Sequence, residues 1–332
     1  MLNVAVIGLG WWGKRISESV VQSDRFRLAA GMDIDRDAAQ AFGSLHSVPV
    51  TLDYDEVLRD DGVDGVLIAT PPSGHLDQVV RAVEAGKQVF CEKPLTLTRA
   101  GAEQMLAACE AQGVVLGLDH HMRYDPSREA LRRLVTEGTL GKILHVEANH
   151  SHSVLAGVPE GHWRGMKSEG PASGFGGTGI HYTDIFISML GPIEEMFAFR
   201  EDRVLGFANG DVVSLQFRFA DGTTGSVASI MATQPFTRLA VFGDQGWADL
   251  VDGGPNNGGA RSKLSVTLRD GSQQTEEFEG SDTVRMALEA WADAVENGVP
   301  YRFTASEMLD NMSALEAITE SVETGRAVQV FR

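Results

Sequence analysis

Two cysteines in 332 residues, 28 basic residues against 46 acidic ones, and no run of ~18 uninterrupted apolar residues set the first limits on this chain. The thiols, Cys91 and Cys109, sit in the apolar contexts VFCEKP and LAACEA without metal-type spacing. They read as reduced, buried groups of a reducing compartment rather than as a disulfide framework. The shortage of basic residues leaves a formal charge of −18. That argues against non-specific binding of nucleic acid, which needs a basic face. The acidity favours solubility and says nothing about fold. No membrane span is expected. The opening MLNVAVIGLG enters a strand-like run without the basic segment and cleavage site of a signal peptide, so a cytoplasmic protein is expected.

What is present reads as a globular protein, 43% hydrophobic and 22% charged, with a length that suggests about two domains. Over the first ~120 residues short apolar runs alternate with amphipathic ones. Strands are expected at 3–8, 27–33, 65–70, 88–93 and 114–119, with helices at 13–22, 36–42, 74–86 and 99–113. Apolar strands separated by helices predict a parallel, doubly wound sheet covered on both faces. From 121 the pattern changes to a helix (126–138), a strand (143–152), a Gly-rich loop and a helix (180–190), followed by alternating strands to ~279. In VSLQFRF, Val213, Leu215, Phe217 and Phe219 share one face, whereas Ser214, Gln216 and Arg218 share the other. That alternation predicts a mostly antiparallel sheet. Two helices, 283–298 and 305–325, close the chain, and GGPNNGGARS (253–262) reads as an exposed loop. The expected division is an N-terminal Rossmann domain over 1–120 and a C-terminal α+β domain over 121–332.

Two segments satisfy the dinucleotide-binding pattern G-x-G-x-x-G: GLGWWG (8–13) and GFGGTG (174–179). With 37 glycines the bare pattern is expected about 0.45 times by chance, so context must decide. An apolar strand precedes GLGWWG, a helix follows it, and Asp33 lies 20 residues beyond Gly13. Gly8 permits the tight turn, Gly10 the approach of a pyrophosphate, and Gly13 close packing of helix on strand. The helix N-terminus supplies unpaired N–H groups to the phosphates. Asp33 would accept hydrogen bonds from the ribose and repel a 2′-phosphate, favouring NAD over NADP. GFGGTG follows the polar stretch RGMKSEGPAS and has no strand before it, so it is not a second nucleotide loop.

GLGWWG stands in one chain with CEKPLT (91–96) and with a Gly-rich run leading to His181 and Asp184. ATPPSGH (69–75), HMRYDP (121–126), EGTLGKI (137–143) and ETGRAV (323–328) extend the pattern along almost the whole chain. Together they resemble the glucose–fructose oxidoreductase / inositol dehydrogenase / MocA (Gfo/Idh/MocA) family. The resemblance implies an N-terminal nucleotide-binding domain, a C-terminal domain with a large open sheet, and hydride transfer between nicotinamide and a hydroxylated substrate. Glu92, Lys93 and Pro94 match the family's EKP, with Lys93 reaching the reacting hydroxyl and the nicotinamide ribose. His181 matches its usual proton acceptor, and Asp184 the acid three residues later. Thr70, Pro71, Pro72 and His75 match its cofactor-lining segment, and Trp12 reads as a cover over the phosphate turn. One position departs: Gly177 stands where the family usually carries an aspartate, four residues before the histidine.

Oxidising a secondary alcohol needs a hydride acceptor, a base for the hydroxyl proton, and a cation or donor for the developing alkoxide. A histidine suits the base and a lysine the cation. His181 and Lys93 are therefore the expected pair. Asp184 either orients His181 from the same helical face or packs inward as a structural acid. Seven of the nine histidines fall between 120 and 181, at 120, 121, 145, 150, 152, 162 and 181. Their scatter over separate elements makes a metal site weak, and none is expected. A polar pocket wall is the alternative, drawn from Arg123, Tyr124, His152, Trp163, Arg164 and the backbone at Gly177. The expected function is an NAD-dependent dehydrogenase of a sugar, polyol or sugar acid, with NADP second. The alternatives are a trans-dihydrodiol-type dehydrogenase, redox-assisted elimination or epimerisation, and a nucleotide-binding regulator without turnover. The apolar face of the second sheet has few helices left in the sequence to cover it, which predicts a homo-oligomer, dimer or tetramer.

Overall fold

A computed structural model of the chain describes residues 1–159, 161–253 and 261–330, the Ser173 side chain apart. Most of the Gly-rich loop expected at 253–262 thus lies outside the described residues. The residues form two compact units. One comprises Met1–His121 and Asp282–Ala305, the other Met122–Ser281 and Ser306–Arg332. A single cut near 120 does not reproduce this division, because the segment 282–305 belongs with the N-terminal residues.

In the first unit the chain runs β1 (Leu2–Ile7), α1 (Trp11–Val21), β2 (Phe26–Met32), α2 (Arg36–His46), β3 (Val50–Thr51) and α3 (Tyr54–Arg59). It continues through β4 (Gly65–Ile68), α4 (His75–Glu84), β5 (Gln88–Cys91), α5 (Arg99–Gln112) and β6 (Leu116–Leu118). The six strands form one parallel sheet in the order β3-β2-β1-β4-β5-β6. The order reverses between β1 and β4, the switch point of a doubly wound sheet. Val4 to Ile7 and Val66 to Ile68 are fully buried, as strands covered on both faces must be. Local chemistry fixes the helix starts: Asp35 accepts from the N–H groups of Asp37 and Ala38 to cap α2, and Thr98 accepts from Gly101 to cap α5. β3 and α3 are too short to leave a periodic trace in the sequence, and neither is among the expected elements.

The second unit runs α6 (Pro126–Thr136), β7 (Ile143–Ser151), α7 (Ile180–Leu190), β8 (Ile193–Glu201), β9 (Val212–Phe219) and β10 (Thr224–Ile230). β11 (Phe236–Gly243), β12 (Gly246–Asp252), β13 (Ser262–Leu268) and β14 (Gln273–Phe278) follow. The chain then forms α8 (Thr283–Asn297), which lies in the first unit, α9 (Ala305–Thr324) and β15 (Val328–Gln329). Nine strands make a sheet ordered β14-β13-β12-β11-β7-β10-β9-β8-β15. Only the central β7–β10 pair is parallel.

The alternation in β9 is realised, with Val213, Leu215, Phe217 and Phe219 buried and Ser214, Gln216 and Arg218 exposed. Helices of the same unit cover the buried face. Phe186 of α7 packs 6.4 Å from Phe217, and Ser321 of α9 accepts a hydrogen bond from the Ala198 N–H of β8. Arg128 of α6 donates to Asp252 at the end of β12 at 2.7 Å. The expectation that this apolar face lacks cover within the chain is therefore corrected: α6, α7 and α9 provide it.

The return of α8 to the first unit rests on Trp291. Its ring is fully buried, 6.1 Å from Phe26 and 5.7 Å from Phe90, and its Nε1–H donates to the Val115 carbonyl at 3.0 Å. Gly65 and Gly117 make room for it, since added Cβ atoms would stand 3.1 and 2.8 Å from the indole. Around this anchor Arg25 pairs with Asp293 and Glu296. Trp291→Ala is expected to lower the unfolding free energy by about 3–5 kcal/mol, because the surrounding aromatic wall can only partly collapse. Urea unfolding followed by circular dichroism measures it.

Candidate functional site

In the first unit the expected residues gather where the parallel strands end. β1 runs into Gly8, whose φ of +90° is open to glycine and strained for other residues. A Cβ on Gly8 would lie 2.8 Å from the Ala69 carbonyl oxygen, and one on Gly13 would lie 1.9 Å from that of Gly8. A Cβ on Gly10 would meet nothing within 4 Å. The first and third glycines thus close the turn, whereas the second borders open space. Gly10 caps α1 without any side-chain hydrogen bond, and the first turn of α1 has no acidic residue. Its N–H groups remain available to an anion. Asp33, at the end of β2, accepts from the Leu9 N–H at 2.7 Å and from the Asp35 N–H at 2.9 Å. It braces the turn while each oxygen keeps a further lone pair.

The segment after β4 folds back on the one after β5. His75 is buried, with Nε2 3.0 Å from the Thr70 carbonyl oxygen and Nδ1 3.0 Å from that of Pro94. The Thr70 hydroxyl donates to Gln78 Oε1 at 2.6 Å. Pro71 precedes and Pro72 opens a single 3₁₀ turn leading into α4. His75 accordingly locks two loops together. The Lys93–Pro94 peptide is cis.

Lys93 is half-buried, with Nζ 5.8 Å from the Trp12 ring, and Glu92 beside it is buried. One Glu92 oxygen, Oε2, accepts from the Lys93 N–H at 3.1 Å. Trp12 reaches further than a cover would. Its Nε1–H donates to Asp119 Oδ2 at 3.1 Å, and its ring lies 5.6 Å from His121. The His121 Nδ1 is 2.7 Å from the Thr283 hydroxyl. Asp119 and His121 are the members of this cluster that residue types alone do not single out. Strand register finds Asp119: Leu118 pairs with Cys91, so Glu92 and Asp119, the residues that follow each, come side by side.

In the second unit α7 carries His181, which is buried, and Asp184 one turn later. Arg123 grips Asp184 with a two-pronged fork, Nε to Oδ2 and Nη2 to Oδ1, each at 2.6 Å. Glu307 lies 3.3 Å from the third guanidinium nitrogen. The expected substrate contact Arg123 and the expected catalytic acid Asp184 are thus joined to each other as a buried ion pair. His152 is buried on β7's extension, its ring 5.1 Å from that of His150. The Tyr182 hydroxyl lies 2.9 Å from His150 Nδ1, and burial pushes its pKa up to about 12, so it stays protonated. Tyr124 is half-buried, next to Arg123. Trp163 stands in a separate short turn, with the Arg164 guanidinium stacked 4.2 Å over its ring.

GFGGTG forms a 3₁₀ turn, Ser173–Phe175, running into α7, with no strand before it. Its glycines serve packing. A Cβ on Gly174 would stand 2.6 Å from Met231 Sδ, and one on Gly179 would stand 2.3 Å from the Phe175 ring. Gly177 differs, being exposed, without positive φ, and with only the Gly174 carbonyl within reach of a Cβ, at 3.3 Å. Among the described residues no three of His, Cys, Asp and Glu cluster so as to hold a metal ion, and no helix is long and apolar enough to cross a membrane.

Comparison with known proteins matches a stretch of each unit. Residues 2–120 match the oxidoreductase family with an NAD-binding Rossmann fold, and residues 129–249 match the GFO/IDH/MocA C-terminal domain. The chain is 28% identical over 327 residues, 98% of each sequence, to a D-xylose 1-dehydrogenase (NADP(+)) from Haloferax volcanii. It is 29% identical to the trans-1,2-dihydrobenzene-1,2-diol dehydrogenase of Sus scrofa, over 67% of this chain and 65% of that one. An aldose-aldose oxidoreductase from Caulobacter crescentus, solved with glycerol, superposes with a TM-score of 0.86 over 99% of both chains at 23% identity, a likeness of fold.

The glycine geometry predicts a split. Gly13→Ala should destabilise by roughly 1–3 kcal/mol or more, since helix and turn must move apart, whereas Gly10→Ala should leave the melting temperature within a degree or two of the parent. Differential scanning calorimetry of the two variants separates a turn-closing glycine from a ligand-facing one.

Proposed function

The chain belongs to the Gfo/Idh/MocA oxidoreductase family, and we propose that it is an NAD-dependent dehydrogenase for a secondary alcohol of a sugar, polyol or sugar acid. The observation that carries this reading is the cradle at Gly8–Gly13: open space at Gly10, an uncapped helix start, and Asp33 alongside. These residues fit a dinucleotide. Gly10 and the N-terminal N–H groups of α1 would hold the pyrophosphate, and Asp33 the adenosine ribose. A second negative charge on the ribose would face the Asp33 carboxylate, which favours NAD. Thr70, Pro71, Pro72 and His75 would line the cofactor beyond the turn.

When bound, the nicotinamide supplies the hydride acceptor or donor. The side chains supply the rest. His181 takes the hydroxyl proton, and the Lys93 ammonium stabilises the alkoxide that forms. The Arg123 fork supports a positioning role for Asp184: it fixes the helix that carries His181 rather than contacting substrate. His152, Tyr124, Trp163, Arg164 and the backbone at Gly177 are the candidate substrate wall. The open position at Gly177, where an acid is usual in the family, favours one second reading, a nucleotide-binding regulator without turnover.

Titration with NAD and NADP, followed by a panel of sugars, inositols, sugar acids and dihydrodiols, decides between them. NADH should form with at least one substrate, and Lys93→Ala and His181→Ala should each cut kcat by about 10²–10⁴-fold. Asp33→Ser should narrow the preference for NAD over NADP. Binding without turnover across the panel would leave the regulator.

Self-association to a dimer or tetramer is part of the same proposal. Its support is the outward face of the large sheet, where Phe199, Phe236 and Trp247 are 62%, 47% and 40% exposed. Sedimentation at micromolar concentration should show an oligomer that Phe199→Glu with Phe236→Glu dissociates; a monomeric parent would end the idea.

A further inference from the structure

Two buried carboxyl groups meet at the ends of neighbouring strands. Cys91 and Leu118 are paired in register, and the Asp119 N–H donates to the Cys91 carbonyl at 2.9 Å, so Glu92 and Asp119 leave the sheet side by side. Each side chain has one oxygen anchored. Glu92 Oε2 takes the Lys93 N–H, and Asp119 Oδ2 takes the Trp12 indole N–H. The other two oxygens, Glu92 Oε1 and Asp119 Oδ1, are buried and meet no N–H or O–H donor among the described residues. The register sets the two side chains next to each other, close enough for the Asp119 charge to act on Glu92. Two carboxylates in contact and out of water repel, and neither has a second donor to offset its lost hydration.

We infer that Glu92 and Asp119 hold a single proton between Oε1 and Oδ1, and that the resulting monoanionic pair is a positioning device for Lys93. The inference rests on the reading of Lys93 as the alkoxide-stabilising cation. With one proton shared, both free oxygens are satisfied: one side chain donates and the other accepts. One negative charge remains beside the lysine, enough to hold an ammonium without a second anion that would draw it inward. Burial, with the Asp119 charge next in size, pushes the Glu92 carboxyl well above the usual carboxylate range. The titratable groups facing the pair are few. Lys93 follows on the same segment and opposes that rise. Cys91 precedes Glu92 on β5, and Cys109 approaches Cys91 from α5; burial first, then the nearby acids, raises the Cys91 thiol, and burial raises Cys109 to about 11. Both thiols therefore stay neutral. From α1 the neutral Trp12 completes the enclosure, with His121 against its outer face.

The pair then acts through Trp12 as well. The indole that donates to Asp119 is the ring over which the Lys93 ammonium lies, so one residue of the phosphate-turn helix holds both ends of the arrangement.

The test needs neither cofactor nor substrate. Infrared spectra of the free protein at neutral pH should show the carbonyl stretch of a protonated carboxyl group. Glu92→Gln, whose amide replaces the proton as donor to Asp119, should lose that band and remain folded. In parallel, the pH dependence of Lys93 acetylation by acetic anhydride is read residue by residue by mass spectrometry. Glu92→Gln combined with Asp119→Asn removes the one anion while keeping an amide pair in its place, and should move the half-reactive pH of Lys93 down by about one unit or more. Glu92→Gln keeps the anion and should leave it in place. A parent without the band at neutral pH, a band undiminished in Glu92→Gln, or a Lys93 profile unmoved in the double variant would each overturn the inference. Failure of the dehydrogenase reading would show instead as an absence of turnover, which none of these measurements uses.

Discussion

A Cβ on Gly13 would stand 1.9 Å from the carbonyl oxygen of Gly8, a distance no non-bonded pair of heavy atoms tolerates. The packing of α1 on β1 at this point fixes where the helix begins and therefore where its unpaired N–H groups point. It also fixes Trp12, the residue before Gly13, whose indole reaches Asp119 beyond β6. The Gly8–Gly13 turn, the lysine over the indole and the carboxyl pair all inherit their positions from this contact. Sheet order does the remainder. Parallel strands β1, β4, β5 and β6 end at the same edge, so Gly8, Thr70, Lys93 and Asp119 meet although more than a hundred residues separate the first from the last. Doubly wound sheets place their ligands at this edge for the same reason.

The second unit is built on a different constraint. Its nine-stranded sheet has one face sealed by α6, α7 and α9 and one left outward. Sealing is polar as well as apolar: Arg128 to Asp252 and Arg123 to Asp184 are buried ion pairs that tie helices to strands and to one another. Breaking one partner of such a pair leaves an uncompensated buried charge, so these pairs act as pins of specific geometry rather than as general adhesive. His181 lies on the helix so pinned.

Much of the first unit was legible in its amino acids. Apolar strands, the GLGWWG turn and the acid at 33 follow local rules, and the structure places them within a few residues of expectation. α7 spans 180–190, as its apolar run predicts. What escaped was whatever depends on the third dimension. β3 and α3 are too brief to show a period. α8 reads as an ordinary amphipathic helix, and only the glycine-lined slot at Gly65 and Gly117 reveals that Trp291 belongs with the first sheet. Asp119 looks like a strand-end acid until register sets it against Glu92. The apolar face of the second sheet seemed bare because coverage by α6 and α7, which precede most of its strands, cannot be counted from sequence order.

The return of residues 282–305 to the first unit has a bearing on how the chain is made. A ribosome delivers residues 1–121 long before it delivers Trp291, and domains that are continuous in sequence fold as they emerge. This one cannot finish on that schedule. Its sheet must wait, with an aromatic slot exposed between Phe26 and Phe90, while β7 to β14 of the second sheet are synthesised. The core of the first unit is therefore closed by a segment translated long after the rest of it, and a nascent chain truncated before α8 leaves apolar surface open where Trp291 packs.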